Sequence, residues 1–105
     1  MTKAKVVAVL MERTGLSRRD ATVAVEVFMD QVKAGLSRDE KVSLVGFGTF
    51  YVKVQRARQG RNPRTGQSIA IPEKRVTVFK PGKSFRAMVN GLSEDEVSDD
   101  DGGDE

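Results

Sequence analysis

Apolar positions follow a helical spacing in the first third of the chain and a spacing of two thereafter. In "TKAKVVAVLMERTG", Val6, Val9 and Leu10 share one helix face, and Val7 and Met11 widen it. The valines of "VVAV" suit a strand as well. Length and ends favour the helix, with Thr2 as N-cap and Gly15 as stop. Ser17 opens a second helix, with Asp20 three residues on in a capping-box-like arrangement. That helix is expected to run to about Gly35. Ala21, Val25, Phe28, Met29, Val32 and Leu36 recur along it, and Val23 and Val27 add a second apolar strip. A face this wide should touch more than one neighbour.

From Lys41 the alternation is that of strands. Val42 and Leu44 lead to "GFG", a turn signal. Phe50, Val52 and Val54 then point one way, and Tyr51, Lys53 and Gln55 the other. Continued outward, the first face becomes Arg56 and Arg58. Turn chemistry follows in "GRNPRTG", where Pro63 presets φ and Gly66 permits a positive one. The return strand is expected from Gln67 to Phe79. Pairing Gly60 with Gln67 and placing a one-residue bulge at Pro72, which cannot donate a ladder bond, would set Val52 against Val76 and Phe50 against Val78. A turn at Pro81-Gly82 and a short helix from about Lys83 to Asn90 complete the pattern. The sum is an α+β chain: a helix pair, a three-stranded antiparallel sheet, a long protruding β-ribbon at about 55–75, and a short C-terminal helix.

Charge changes this picture more than composition does. The net charge of +3 conceals two opposed bodies. All 18 Lys and Arg lie at or before Arg86, against seven acids in 1–92, a balance of +11; the other eight acids lie in 93–105. A body so basic points to a polyanionic partner. The segment 93–105, "SEDEVSDDDGGDE", is expected to be a disordered acidic tail following a single domain, 1–92. The chain has no Cys and no His, which removes disulfides, thiolate sites and the commonest general base and zinc ligand. No metal site, cofactor or catalytic residue is expected. "PGKS" resembles the end of a phosphate-binding loop, but Thr77 stands where the first glycine belongs. No apolar run spans a membrane, and no signal peptide is read at the N-terminus.

The arm gathers Lys53, Arg56, Arg58, Arg61, Arg64, Lys74 and Arg75 against one acid, Glu73. Blunting an edge hairpin against aggregation needs a few charges; seven on an arm too long to pack on its own body point to nucleic acid. Pro63 suffices as a turn residue, yet on a cationic arm it can also enter a base step and kink the duplex. Asn62 can hydrogen-bond minor-groove acceptors, and Arg61 and Arg64 suit a narrow minor groove. Without arm and tail, about 70 residues remain, a core marginal on its own. Sharing Phe47, Phe50, Phe79 and Phe85 across a two-fold interface would complete it.

With "GFGTF" (46–50), "GRNPRTG" (60–66) and "FKPGKSFRAMVN" (79–90) in this order and spacing, the chain resembles the bacterial HU and integration host factor family of architectural DNA-binding proteins over about residues 1–91. The resemblance implies an intertwined dimer whose two arms embrace double-stranded DNA, with Phe28, Phe47, Phe50, Phe79 and Phe85 in the dimer core. It implies that Pro63 intercalates, a mechanism already established for that family. Arg61, Asn62 and Arg64 would be its minor-groove neighbours. Arg56, Arg58, Lys74 and Arg75 would line the arm, and Lys3, Lys80, Lys83 and Arg86 would bind phosphates along the body; Lys53, counted with the arm by its charge, is expected to contact DNA as well. The expected role is low-specificity bending and compaction of DNA in the cytoplasmic nucleoid, by a homodimer or by a heterodimer with a paralogue. A site-preferring, integration-host-factor-like role uses the same residues. A basic RNA-binding role is a third reading, although a proline wedge has no obvious use in A-form grooves. The acidic tail departs from the family's usual length.

Overall fold

Two capped helices make up the first of two compact units, Met1–Arg38, and the second begins at Asp39. The computed structural model describes residues 1–97. Helix α1 spans Lys3–Thr14, opened by the Thr2 hydroxyl oxygen, which accepts from the Lys5 amide at 3.2 Å. Helix α2 spans Arg18–Ser37, and the Ser17 hydroxyl oxygen accepts from the Asp20 amide at 3.1 Å. Both N-caps satisfy an amide that has no partner inside the helix. Helix α2 runs two residues past its expected end. Gly35 is buried within it, and the left-handed turn falls on Asp39 instead, at φ 62°. The buried centre of α1 also differs from the expected one. Val7 is buried and Val6 is 40% exposed. Val6, Val9 and Leu10 line, with Met1 and Arg13, an open apolar concavity of about 320 Å³.

The second unit carries five strands: β1 (Val42–Leu44), β2 (Gly48–Gln55), β3 (Arg58–Arg61), β4 (Ser68–Ile71) and β5 (Lys74–Pro81). Strands β1, β2 and β5 form an antiparallel sheet in the order β1-β2-β5, while β3 and β4 pair as a separate two-stranded ribbon. Phe50 lies opposite Phe79 and Val52 opposite Thr77. In the ribbon Gly60 lies opposite Ile69 and Arg58 opposite Ile71. Both ladders therefore keep one register, and the bulge expected at Pro72 is absent. The ladder is interrupted symmetrically instead, with Arg56-Ala57 facing Pro72-Glu73 between the two sheets. The missing N–H of Pro72 opens a gap in the ladder without inserting a residue.

Helix α3 (Lys83–Asn90) is tied to the β1–β2 turn by the Gly82 amide, which donates to the Phe47 carbonyl at 2.8 Å, and by the Ser84 hydroxyl, which donates to the Gly46 carbonyl at 3.2 Å. It ends in a Schellman arrangement, with the Leu92 amide bonded to the Ala87 carbonyl and that of Gly91 to Met88. These ties bring four rings together. Phe79 lies 4.6 Å from Phe50, 5.2 Å from Phe47 and 5.7 Å from Phe85 between centroids, and Phe47 lies 5.3 Å from Phe85. Tilted pairs at such distances each contribute about 0.5–1.5 kcal/mol beyond the area they bury.

Acidic residues at the start of the expected disordered tail form a turn. Glu94–Glu96 make one 3₁₀ turn, in which the Ser93 amide and hydroxyl both donate to Glu96 Oε1, at 2.8 and 3.1 Å. Those bonds, the backbone one foremost, hold the Glu96 carboxyl below its ordinary pKa. The stabilisation is present above the ordinary glutamate range and is lost as pH falls through the lowered value. Residues 98–105, the rest of the expected tail, lie outside the described residues.

Gly48 makes the Phe50–Phe79 register possible. A Cβ there would stand 2.6 Å from the Lys80 carbonyl oxygen and 2.7 Å from the Phe79 ring. The carbonyl belongs to the paired strand and cannot swing aside. Gly48→Ala is therefore expected to cost about 1–3 kcal/mol, as overpacking does. At equal protein concentration, thermal unfolding followed by circular dichroism should show a midpoint lower by at least about 4 °C. An unchanged midpoint would mean that the sheet has slack at this crossing.

Candidate nucleic-acid interface

Opposite residues of an antiparallel pair share a face, so the register sorts the sheet into two surfaces. One carries Val42, Leu44, Phe50, Phe79, Val52 and Val54. The other carries Ser43, Thr49, Tyr51, Lys53, Gln55, Lys74, Val76, Val78 and Lys80. Three of the cations expected to meet DNA, Lys53, Lys74 and Lys80, thus lie on one surface, opposite the phenylalanines. The spacing of two already implies this for Lys53. For Lys74 and Lys80 it takes the true register, since a one-residue slip exchanges the faces.

Arg75 is placed differently from its neighbour. It lies opposite Val54, on the phenylalanine side, and its guanidinium is paired with the Asp39 carboxylate. Only the positive-φ turn at Asp39, which the sequence does not suggest, presents that carboxylate there. Lys83 opens α3 and Arg86 is half-buried one turn on. Lys3 belongs to the helical unit, where its ammonium lies 2.7 Å from the Glu26 carboxylate. This pair is about half exposed on both sides, and ion pairs of that kind contribute little to stability.

Beyond the ladder gap, Arg58 and Arg61 stand on the ribbon with Arg56 at its root. Gly60 is the narrow point. A Cβ on it would stand 2.5 Å from Ile71 Cδ1, so the isoleucine lies across the glycine. Ile71 also helps line an open concavity of about 470 Å³, with Ala57, Arg58, Gln59, Ala70 and Pro72, at the ladder gap. One face of the ribbon therefore carries Arg58 beside an apolar strip of Ile69 and Ile71, and Arg61 lies on the other.

The tip is held from within. The Asn62 amide donates to the Gln67 carbonyl at 2.8 Å, and the Gly66 amide to the Asn62 carbonyl at 2.7 Å. The Asn62 Oδ1 accepts from the Arg64 amide at 2.8 Å and from the Thr65 amide at 3.4 Å. Thr65 Oγ1 accepts from the Gln67 amide at 3.2 Å. Gly66 closes the loop at φ 73°, a value few other residues adopt at low cost. Arg61 Nη1 reaches across to the Gly66 carbonyl at 3.2 Å. Pro63 stands exposed at the turn. The carbonyl oxygen of Asn62's side chain is thus consumed in bracing the loop, which leaves its Nδ2 as the group able to donate outward. Turn residues are visible here in the sequence; that Asn62 is the brace is visible only in the fold.

Among the described residues no cluster of acids could hold a metal ion, and no helix is long and apolar enough to cross a membrane. The arrangement is a candidate binding surface: a lysine-bearing sheet face, a thin ribbon that carries arginines, and a proline tip held by its own hydrogen bonds.

Comparison with known proteins agrees with this geometry. Residues 1–90 match the model of the family described as Bacterial DNA-binding protein. The chain is 46% identical over 92 residues to integration host factor subunit alpha of Aliivibrio fischeri, spanning 88% of this chain and 94% of that one. It is 43% identical over 89 residues to DNA-binding protein HU of Geobacillus stearothermophilus, spanning 85% and 99%. Among solved structures, the HU of an Anabaena HU–DNA cocrystal superposes with a TM-score of 0.77 at 35% identity, over 85% of this chain and 97% of that one. The chain belongs to the bacterial DNA-binding protein family that includes HU and integration host factor.

Proposed function

We propose that this protein is an architectural, non-enzymatic DNA-binding protein that bends and compacts double-stranded DNA with low sequence specificity. The observation that carries this is the braced tip: an exposed proline on the six-residue loop 62–67, held by its own hydrogen bonds, with Arg61 and Arg64 beside it. A duplex whose phosphates are neutralised along the lysine face and the ribbon is held in register by contacts that carry no sequence information. Pro63 then enters a base step from the minor groove, and unstacking that step kinks the duplex. A loop already fixed by Asn62, Thr65 and Gly66 loses little further entropy on insertion. The relatives named for integration host factor and for HU match almost equally, so a site-preferring variant of the same mechanism is the second reading. In it the preference comes from sequence-dependent deformability. Such a protein acts on the nucleoid, in the bacterial cytoplasm.

The working unit is a dimer. Among the described residues the buried apolar side chains are Val7, Ala21, Leu36 and Ala87, and no large side chain is fully enclosed. Phe28, Val27 and Val23 of α2 are about half exposed, and Phe47 is 41% exposed. A single chain with so little core is marginal. A second copy covering these surfaces supplies the missing burial, with Phe28, Phe47, Phe50, Phe79 and Phe85 in the shared core. The partner is a second copy of this chain or a paralogue.

Three measurements test this reading. Binding of a short duplex should weaken steeply with salt: neutralising about 6–10 phosphates gives a log–log slope of about −5 to −9. A slope shallower than about −2 would show that the cationic surface is not the binding surface. Pro63→Ala should reduce bending, read by energy transfer between duplex ends, far more than it reduces affinity; undiminished bending removes the proline from the mechanism. Sedimentation equilibrium should give a two-chain mass, and Phe28→Glu should abolish it. If the chain were a monomer, that change would fall on an already exposed position, and both mass and melting temperature would stay as they were.

A further inference from the structure

The lysine-bearing face of the sheet has one aromatic member, and the bending mechanism assigns it no task. Tyr51 is half-buried in the middle of β2, opposite Val78. Lys53 follows it on the same face of its own strand, and Lys80 is its diagonal neighbour on β5. Ser43 and Thr49 stand in the adjoining row, where the Thr49 hydroxyl donates to Ser43 Oγ at 3.4 Å. The phenol of Tyr51 has no hydrogen bond to any of the described residues. A tyrosine placed to finish a core would lie on the opposite face, with Phe50 and Phe79. A strand position chosen only for solubility on a cationic face would not carry a ring. What this position offers is a neutral O–H donor on a short, stiff side chain between two lysines.

We propose that Tyr51 is a DNA-backbone contact, its hydroxyl donating to a phosphate oxygen of the duplex that lies on the lysine face. The proposal rests on the architectural DNA-binding reading and adds to it a contact of a different physical kind. Tyrosine is a backbone-contacting donor in protein–DNA interfaces. A hydrogen bond to an ionised acceptor is stronger than a neutral one. Lysines draw much of their affinity from counterions released when phosphate is neutralised, and that share fades as salt rises. A phenol neutralises nothing and releases no counterion. Its share of the affinity persists at salt concentrations where the lysine share has fallen. The ring, set opposite Val78 and turning about only two bonds, holds the donor at a low entropic cost.

The chain's composition supplies a direct probe, because Tyr51 is its one tyrosine and it has no tryptophan. Tyr51→Phe keeps the ring and its packing and removes only the hydroxyl. Using the full chain and one short duplex, the variant should bind roughly tenfold more weakly, as loss of a hydrogen bond to a charged group implies. Its log–log salt line should run parallel to that of the unaltered protein. Lys53→Met, by contrast, should make the line shallower, by about one for each phosphate no longer neutralised. Tyrosine emission of the unaltered protein should become shielded from acrylamide when duplex is added. Equal affinity of Tyr51→Phe and the unaltered protein, or emission still open to quencher in the complex, overturns the inference while steep salt dependence leaves the DNA-binding reading standing. A Tyr51→Phe line of reduced slope overturns it too, since the group would then be acting through the charges around it. Failure of the unaltered protein to bind duplex at low salt would instead sink the underlying reading.

Discussion

The pairing of Phe50 with Phe79 is the constraint on which the second unit depends. It is made possible by the absence of a side chain at Gly48, over which the Phe79 ring and the Lys80 carbonyl close. Once these two rings are opposite each other, side-chain alternation does the rest. Phe50 and Phe79, the strand rings that meet Phe47, fall on one surface, and Lys53, Lys74 and Lys80 fall on the other. A slip of one residue on β5 would put Lys80 among the phenylalanines. The same register continues past the gap at Pro72 into the ribbon. The arm therefore continues the sheet's register across an interrupted ladder, and the position of Pro63 at the tip is set by a contact at the sheet's other end.

The apolar surface left over in the chain is informative in the same way. Gly48, α3 and the four rings make a cluster that is joined but not closed, and α2 keeps a half-exposed strip at Val23, Val27 and Phe28. Marginal stability is the rule for a chain of this size, and hydrophobic burial is the dominant favourable term. A sequence that leaves so many large side chains at half burial has its remaining stability stored in association. The dimer proposed here thus couples folding to assembly, so that its stability cannot be separated from protein concentration. It would also set two proline-tipped arms in one molecule.

Much of this is legible in the sequence, for physical reasons that differ by element. The helices announce themselves through caps, because Thr2 and Ser17 offer oxygens to amides that need them. The tip announces itself through Pro63 and Gly66, whose backbone limits are local. What the sequence hides is non-local. The register of β2 with β5 depends on how the Phe79 ring meets Gly48, which no strand reveals alone, and local chemistry at Pro72 points to a bulge that the fold does not contain. The inner face of α1 is hidden because Val6 and Val7 are adjacent and chemically identical, so only packing decides between them. Nothing around Asp39 signals a left-handed turn, and its pairing with Arg75, 36 residues away, requires the fold. Alternation alone puts Tyr51 on its true face, yet a neutral residue contributes nothing to a count of charge.

Charge alone also leaves open how affinity and bending divide within one surface. A surface of lysine and arginine alone attracts any polyanion, and its grip is set by the salt around it. Bending demands something that charge cannot supply, a fixed apolar wedge whose insertion costs unstacking energy. The two tasks need opposite mechanical properties. Phosphate contacts work best from long side chains that can follow a deforming backbone, whereas a wedge works only if its own loop does not yield. In the proposed reading the two tasks fall to different parts of the ribbon. Cations on flexible stems, Lys53, Arg56 and Arg58, occupy the sheet and the ribbon's lower part. At the tip the side chains of Asn62 and Thr65 turn inward to hydrogen-bond the loop's own amides. Arg61 is tethered to the Gly66 carbonyl as well. Asn62 is then more valuable as a brace than as a reader of bases. In the proposed mechanism, stiffness at the tip would make the duplex, and not the loop, yield to Pro63.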